Sequence, residues 1–184
     1  VKYTFEDLIQ ISNFANLDNP NKKSDFKIKP IFIVGVPRCG STLIEKIISS
    51  GKKIIPMGEE IAVFENFVNK KILSRKSLNL GDIEKVREEL VKAYKEKGLL
   101  KNEDEYIFTD KSLNNFFYLN LIKEIFPQAK IINSKRNILS SIMSIFQNNL
   151  TELAWAHDIE NIFKYCDNYF KITKKFKEKY PDAV

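Results

Sequence analysis

Short apolar runs alternate with longer amphipathic stretches along this chain. The runs at 31–35, 106–110 and 129–134 are typical of strands that are buried in a parallel sheet. The stretches between them repeat apolar residues every three or four positions and predict helices. This alternation predicts an α/β fold, with three α/β/α layers around a central, doubly wound parallel sheet and right-handed crossovers.

Helices are expected before, between and after the predicted strands. The stretch at 41–51 ends at a glycine and places four apolar residues on one face: Leu43, Ile44, Ile47 and Ile48. Further helices are predicted at 1–17, 58–73, 81–98, 114–127, 136–149 and 159–180, the last with Asp158 as its N-cap. We therefore expect a leading helix and linker over 1–30 and one α/β domain over 31–184.

The composition supports a globular domain. The 184 residues are 43% hydrophobic and 29% charged, with 6 Gly and 6 Pro, which excludes collagen-like, disulfide-scaffold and wholly disordered proteins. No uncharged apolar run approaches the ~20 residues that cross a bilayer, and VKYTFEDLIQ does not resemble a signal peptide. Cys39 and Cys166 lack the spacing of zinc ligands. We expect a cytoplasmic protein with no membrane span and no metal site.

The net charge of +6 favours anionic partners in general. Lysines are spread along most of the chain, and the densest cluster, at 171–180, alternates with Ile172 and Phe176 as in a helix with one solvated face. No base-reading motif and no interleaved stacking aromatics accompany this cluster. We therefore expect no nucleic-acid partner.

A glycine-bearing loop joins the first predicted strand to the next helix. GVPRCGST, at 35–42, has the G-x-x-x-x-G spacing of a phosphate loop, but Ser41 stands where nucleoside triphosphatases have a lysine. The loop amides, the positive end of the helix and two hydroxyls can still enclose one terminal phosphate, and Arg38 adds a fixed positive charge. The alternative interpretation is a tight turn that only connects strand and helix.

The same loop carries a family resemblance. PRCGSTL resembles the PxSGTTL loop of the sulfotransferases, which holds the 5′-phosphosulfate end of 3′-phosphoadenosine 5′-phosphosulfate (PAPS). The segment 109–149 is similar, element by element, to the one that continues this loop in bacterial tetratricopeptide-linked sulfotransferases and, more loosely, in tyrosylprotein sulfotransferases. The resemblance covers residues 30–175 and implies a P-loop-type fold, PAPS as donor and transfer without a metal. Such proteins continue with a C-terminal segment that closes over the nucleotide, and we expect this chain to lack it.

The resemblance also implies which residues hold the donor. The loop residues that correspond to its 5′ end are Arg38, Cys39, Gly40, Ser41 and Thr42. Arg136, at a strand end, and Ser144, on the next helix, correspond to the pair that binds the 3′-phosphate, and the planar fork of an arginine suits two phosphate oxygens. Two departures from the family pattern are Asn137-Ile138 in place of Asp-Pro and Cys39 in place of a common serine.

Sulfuryl transfer needs a base for the acceptor hydroxyl and cationic groups for the donor. The resemblance assigns the base to Glu59, in a GE motif downstream of the loop, since no histidine follows Lys111 closely. Lys111, at the carboxyl end of the second strand, is the candidate for the bridging oxygen, and Arg38 for the sulfonate oxygens. Alternatively, Glu59 and Glu60 are ordinary acids in the first turn of a helix. His157 is interpreted as structural or substrate-adjacent.

Two other functions compete with this interpretation. The run at 107–110 ends in Asp110 and mimics the strand and aspartate that hold magnesium in phosphate-loop kinases and NTPases. The chain could also be a non-catalytic nucleotide-binding fragment, because related sulfotransferases continue further. The resemblance implies a hydroxyl-bearing acceptor, and a peptide tyrosine, a glycan, a lipid and a small metabolite all stay open.

Overall fold

A parallel sheet forms the centre of the fold. The computed structural model describes residues 4–13, 26–52, 54–73, 82–101, 106–148, 150–151 and 153–183. In these ranges the strands β1 (Ile31–Val34), β2 (Thr109–Asp110) and β3 (Lys130–Asn133) lie in the order β2-β1-β3. Phe32 of β1 lies opposite Asp110 on one side and Ile131 on the other. The predicted α/β class with a central parallel sheet is confirmed.

The strand β2 is shorter than the apolar run that predicted it. Only its last two residues pair as a regular strand. The residues before β2 still lie alongside the segment that leads into β1. Lys29 N–H donates to Tyr106 O at 2.7 Å, and Ile31 N–H donates to Phe108 O at 2.8 Å. The predicted run therefore lies beside the start of β1 and the residues that precede it, and the carboxyl ends of β1 and β2 lie at the same edge of the sheet.

Helices flank the sheet. The α-helices are α1 (Phe5–Ser12), α2 (Ser41–Ser49), α3 (Val63–Val68), α4 (Ile83–Glu96), α5 (Leu119–Ile125), α6 (Ile138–Gln147) and α7 (Ile159–Lys179). A π-helical turn continues α3 over Asn69–Leu73, and 3₁₀ segments occupy Leu113–Tyr118, Ala154–His157 and Pro181–Ala183. Across the described part of the chain, no helix combines the length and the apolar character that a membrane span requires.

The leading helix α1 packs against the α/β domain. The ring of Phe5 lies 6.5 Å from that of Phe117 and 6.1 Å from that of Tyr165, measured between centroids. Asn120 Nδ2 donates to the main-chain oxygen of Ser12 at 2.7 Å. Residues 14–25, which include the end of the predicted leading helix and most of the predicted linker, lie outside the described residues.

Helix α2 buries a charged residue rather than its whole apolar face. Leu43 and Ile47 are 64% and 63% exposed, whereas Glu45 is 1% exposed. Glu45 Oε1 accepts hydrogen bonds from Glu59 N–H and from the hydroxyl of Thr109. The periodicity of α2 places its apolar residues on one face. It does not reveal that hydrogen bonds of the buried Glu45 help to fix the position of this helix against β2.

An aromatic cluster fixes the segment that follows β2. The rings of Tyr165 and Tyr169, on α7, meet the ring of Phe116 edge-on at centroid distances of 5.3 and 5.4 Å. Trp155 stacks on Tyr165 at 4.0 Å with the rings nearly parallel. Such pairs each contribute about 0.5–1.5 kcal/mol beyond the area they bury. The 3₁₀ turn after Lys111 is therefore held from the side that faces away from the site.

Candidate active site

The phosphate loop is a tight turn whose shape depends on two residues with a left-handed backbone conformation. Gly40, the N-cap of α2, has φ 95°, and Arg38 has φ 67°, an uncommon conformation for a residue with a side chain. A Cβ atom on Gly35 would lie 2.4 Å from Cys39 Sγ and 2.9 Å from Ser134 O, so this position requires glycine. The Cys39 side chain therefore points into the protein, and its main-chain oxygen accepts from Ser134 Oγ at 3.3 Å.

A cavity of about 590 Å³ opens at the carboxyl ends of β1 and β2. Parallel α/β sheets bind ligands at this edge. The lining residues that the sequence predicted are Arg38, Gly40, Ser41, Thr42, Lys111 and Arg136. Lining residues that it did not single out for the site include Lys46, Ser112, Leu113, Leu150 and Leu153, together with Glu60. Cys39, Glu59 and Ser144 are not among the lining residues.

The charge of the described cavity wall is strongly positive. Arg38, Lys46, Lys111 and Arg136 contribute four cations, and Glu60 contributes the one carboxylate among the described lining residues. Lys46 lies one helical turn after Thr42 on α2. The spacing of the predicted helix could have revealed it, because residues four positions apart share a helix face. A wall with this balance of charge favours a polyanionic ligand.

Arg38 connects the loop to both residues that were predicted to hold a second phosphate. Its Nε atom donates to Ser144 Oγ at 3.2 Å, and Arg136 Nη1 donates to the main-chain oxygen of Arg38 at 3.2 Å. The loop follows β1, and Arg136 follows β3, which is hydrogen-bonded to β1. The neighbouring positions of these strands explain how residues so distant in sequence meet here.

Lys111 is held between the sheet and the turn that contains Glu59 and Glu60, here called the acidic turn. It is 8% exposed, its main-chain N–H donates to Glu59 O at 2.9 Å, and its Nζ atom lies 3.1 Å from Glu60 Oε1. A largely buried ammonium group needs a charged or polar partner to stay in place. Glu60 provides that partner within the cavity, whereas its own side chain is 65% exposed.

The acidic turn brings one of its two carboxylates into the cavity. Glu59 is exposed and has φ 51°, so its backbone is left-handed, and Glu60 lines the cavity next to Lys111. The assignment of Glu59 as the base stays a prediction. The geometry adds Glu60 as a second candidate that sequence reasoning set aside. The motif contains both acids side by side, and the sequence alone does not distinguish the one that lines the cavity and pairs with Lys111.

The residues around this turn are fixed along the outer edge of β2. Thr109 N–H donates to Pro56 O at 3.0 Å, Gly58 N–H to Thr109 Oγ1 at 3.3 Å, and Ala62 N–H to Ser112 Oγ at 2.9 Å. A Cβ atom on Gly58 would lie only 2.1 Å from Thr109 O. These contacts explain why α3 begins at Val63 and not at the start of the predicted helix.

Asp110 does not face the cavity. Its carboxylate is fully buried, and Oδ1 accepts from Ser112 N–H at 2.9 Å, Ser112 Oγ at 2.7 Å and Asn115 Nδ2 at 2.9 Å. Oδ2 accepts from the hydroxyl of Tyr94 at 2.8 Å. Burial and the nearby Asp110 carboxylate raise the pKa of Tyr94 well above its ordinary value. Both carboxylate oxygens are thus engaged in the interior, which counts against a magnesium-holding role for Asp110.

His157 lies at the end of a 3₁₀ turn, is exposed and does not line the cavity. Its interpretation as structural or substrate-adjacent stays a prediction. Among the described residues, no group of three or more His, Cys, Asp or Glu side chains could hold a metal ion.

Comparison with known proteins agrees with this site. A model of the sulfotransferase family matches residues 30–184, which include the phosphate loop, Lys111 and Arg136. An uncharacterized protein from Aquifex aeolicus is 28% identical over a match of 173 positions that covers 85% of this chain and 22% of that protein. The chain thus spans about a fifth of the length of this curated relative. Because the family match extends from the start of β1 through the last described helix, the chain belongs to the sulfotransferase family.

Proposed function

We propose that this domain transfers a sulfuryl group from PAPS to an acceptor hydroxyl. The observation that carries the proposal is the joining of Arg38 to both Ser144 and Arg136 beside a cavity that Lys111 and Glu60 also line. In this proposal the loop holds the 5′-phosphosulfate, and Arg136 with Ser144 holds the 3′-phosphate. Nucleotides that lack the 3′-phosphate would leave Arg136 and Ser144 without that group.

The residues of the loop suit the 5′ end of the donor. The N-terminus of α2 presents main-chain N–H groups towards the cavity, and Ser41 and Thr42 add hydroxyl donors there. The side chain of Arg38 is already directed towards Ser144, so it can donate to a sulfonate or phosphate oxygen after a small rotation. Arg136 can place its planar guanidinium against two oxygens of the 3′-phosphate, with Ser144 as a further donor.

The Lys111–Glu60 pair suits the transfer step. In that step the acceptor oxygen bonds to sulfur, the bond from sulfur to the bridging oxygen breaks, and the acceptor proton passes to a base. Lys111 stabilises the negative charge that grows on the leaving phosphate. When its ammonium group turns to that oxygen, Glu60 loses its partner and can take the proton. Glu59 remains the alternative base, and substitution of each acid separates them.

Other features of the proposal follow from the family. The acceptor is a hydroxyl-bearing molecule, and the present geometry does not choose among a peptide tyrosine, a glycan, a lipid and a small metabolite. Both Cys39 and Cys166 are free and buried, which is compatible with a reducing cytoplasm. Likeness to the tetratricopeptide-linked and tyrosylprotein branches and a domain division at residue 30 stay predictions.

A thermal-shift comparison tests the proposed donor. Adenosine 3′,5′-bisphosphate with EDTA should stabilise the protein by about 2.7 kcal/mol at a hundredfold excess over its dissociation constant. Adenosine 5′-phosphate is the matched control and should stabilise it much less, because it lacks the 3′-phosphate. Stabilisation by ATP with magnesium and not by the bisphosphate would instead indicate a phosphate-loop kinase or NTPase. Binding of the bisphosphate without transfer to any acceptor would indicate a nucleotide-binding module.

A further inference from the structure

Glu45 is a buried carboxylate for which the proposed reaction has no use so far. It lies on α2, one helical turn after Ser41, and is 1% exposed. It does not line the cavity, so it touches neither donor nor acceptor there. Its Oε1 atom accepts from Thr109 Oγ1 at 2.6 Å and from Glu59 N–H at 3.0 Å.

These two hydrogen bonds join three parts of the site. Helix α2 continues the phosphate loop, Thr109 lies two residues before Lys111, and Glu59 precedes Glu60 in the acidic turn. Thr109 Oγ1 also accepts from Gly58 N–H, so the same hydroxyl links Glu45 to a second amide of that turn. A single carboxylate oxygen of Glu45 thus connects α2 both to β2, which leads to Lys111, and to the acidic turn.

The energetics of burial argue that this carboxylate does more than fill space. An unpaired buried charge is strongly unfavourable, and an apolar residue would avoid that penalty on a helix that already contains Ile44 and Ile48. The turn that Glu45 holds contains Glu59 with φ 51°, a backbone conformation that is unfavourable unless surrounding contacts enforce it. Hydrogen bonds to a carboxylate are stronger than neutral ones, so Glu45 is suited to enforce it.

We propose that Glu45 is a positioning residue that holds the acidic turn, and with it the Glu60–Lys111 pair, at a fixed distance from the phosphate loop. The role rests on the proposed sulfuryl transfer. Through Glu59 N–H it sets the backbone of the turn, and through Thr109 it sets the strand end that carries Lys111. Loss of Glu45 should therefore impair the transfer step and leave the binding of nucleotide by the loop largely intact.

Three substitutions and a control test this role. Glu45→Leu removes the acceptor oxygen at similar volume, and Glu45→Gln keeps an oxygen at the Oε1 position. Thr109→Val removes one of the two bonds to Glu45 together with the acceptor for Gly58 N–H. Ile47→Ala is the control, because this residue lies on the same helix, is exposed and takes no part in the cavity. Turnover, affinity for adenosine 3′,5′-bisphosphate and the midpoint of thermal unfolding are measured for each.

Glu45→Leu should lower kcat by about tenfold to a hundredfold, as a small misplacement of reacting groups does, with bisphosphate affinity within about threefold of wild type. Glu45→Gln should recover most of the turnover, Thr109→Val should fall between the two, and Ile47→Ala should match wild type. Unchanged turnover in Glu45→Leu, or equal losses of turnover and nucleotide affinity, would overturn the role. So would failure of glutamine to rescue, because hydrogen-bond acceptance would then not be what matters.

Amide hydrogen exchange gives a readout that does not depend on activity. The Glu59 amide should exchange faster in Glu45→Leu and in Thr109→Val, whereas amides in the middle of α7 should not change. If the wild type neither binds the bisphosphate nor transfers a sulfuryl group, the proposed function fails. The exchange data still test whether Glu45 holds the backbone of the acidic turn. Unchanged protection of the Glu59 amide in a folded Glu45→Leu protein would refute the positioning role by itself.

Discussion

Arg38 and Ser144 are 106 positions apart in the chain, yet Nε of the arginine donates to the hydroxyl of the serine at 3.2 Å. The same arginine accepts through its main-chain oxygen from Arg136. The phosphate loop and the start of α6 are thus already joined by hydrogen bonds that phosphate oxygens could replace. These bonds bring together the side chains to which the proposal assigns the two phosphate groups of the donor.

The first prediction concerns Arg136. Arg136→Ala should weaken adenosine 3′,5′-bisphosphate by roughly 1.5–3 kcal/mol, the cost of a lost charged hydrogen bond, and should affect adenosine 5′-phosphate far less. Titration calorimetry with both nucleotides measures this difference. Lys135→Ala is the control, since it removes an adjacent exposed cation that is absent from the cavity wall. Equal weakening of both nucleotides would remove Arg136 from the 3′-phosphate site.

The second prediction separates the two candidate bases. Glu60→Gln should lower transfer by ~10²–10⁴, because glutamine keeps the size of the side chain and loses its basicity. Glu59→Gln is the matched variant and should retain most of the activity if the cavity-facing acid is the base. Slow hydrolysis of PAPS without an acceptor should be little changed by either. The reverse order of the two variants in steady-state kinetics would restore Glu59 as the base.

The third prediction assigns Lys111 to the donor. Lys111→Ala should lower turnover by ~10²–10³, as the loss of one preorganised charge does, and should also slow the hydrolysis of PAPS when no acceptor is present. Its effect on that hydrolysis distinguishes it from Glu60→Gln. Lys46→Ala is a useful comparison, since Lys46 lines the same cavity outside the strand end. If both lysine variants behave alike, Lys111 contributes only to the general positive charge of the site.

The fourth prediction is that Asp110 serves stability and not metal binding. Asp110→Ala would leave the hydroxyl of Tyr94, the amide of Asn115 and two donors of Ser112 without an acceptor. Unsatisfied buried groups cost about 1–3 kcal/mol each, so urea unfolding should show a loss of at least about 3 kcal/mol. Transfer by the wild type should persist in EDTA. Activity that disappears with EDTA and returns with magnesium would contradict this prediction.

The main elements of the fold could be predicted because local patterns determine them. The apolar run at 31–35 and the glycines of the phosphate loop predict β1, the turn and α2 in the right order. Asp158, predicted as the cap of the last helix, accepts from Asn161 N–H at 2.8 Å. Such features depend on a few neighbouring residues, so a single sequence contains enough information to find them.

Other features of the site depend on contacts between distant segments. The stretch after Gly58 has helical periodicity, but helix α3 begins only at Val63 because Thr109 and Ser112 hold the preceding backbone beside β2. Which of Glu59 and Glu60 lines the cavity depends on how the turn lies against β2 and Lys111, which two adjacent acids in a sequence cannot reveal. The burial of Glu45 against Thr109 and the Glu59 amide is likewise a tertiary effect that overrides the amphipathic pattern.

The packing of Cys39 makes its thiol a chemical probe of the phosphate loop. Cys39 is 7% exposed, and its sulfur lies where a side chain on Gly35 would have to be. A thiol reagent can therefore reach it only when the loop opens, and the rate of its modification would measure how often that happens. Cys166 would add little background at neutral pH, because burial raises the pKa of its thiol to about 11 and the thiolate is the reactive form. The unmodified protein thus contains, in the Cys39 thiol, a chemical probe of how firmly the phosphate loop is closed.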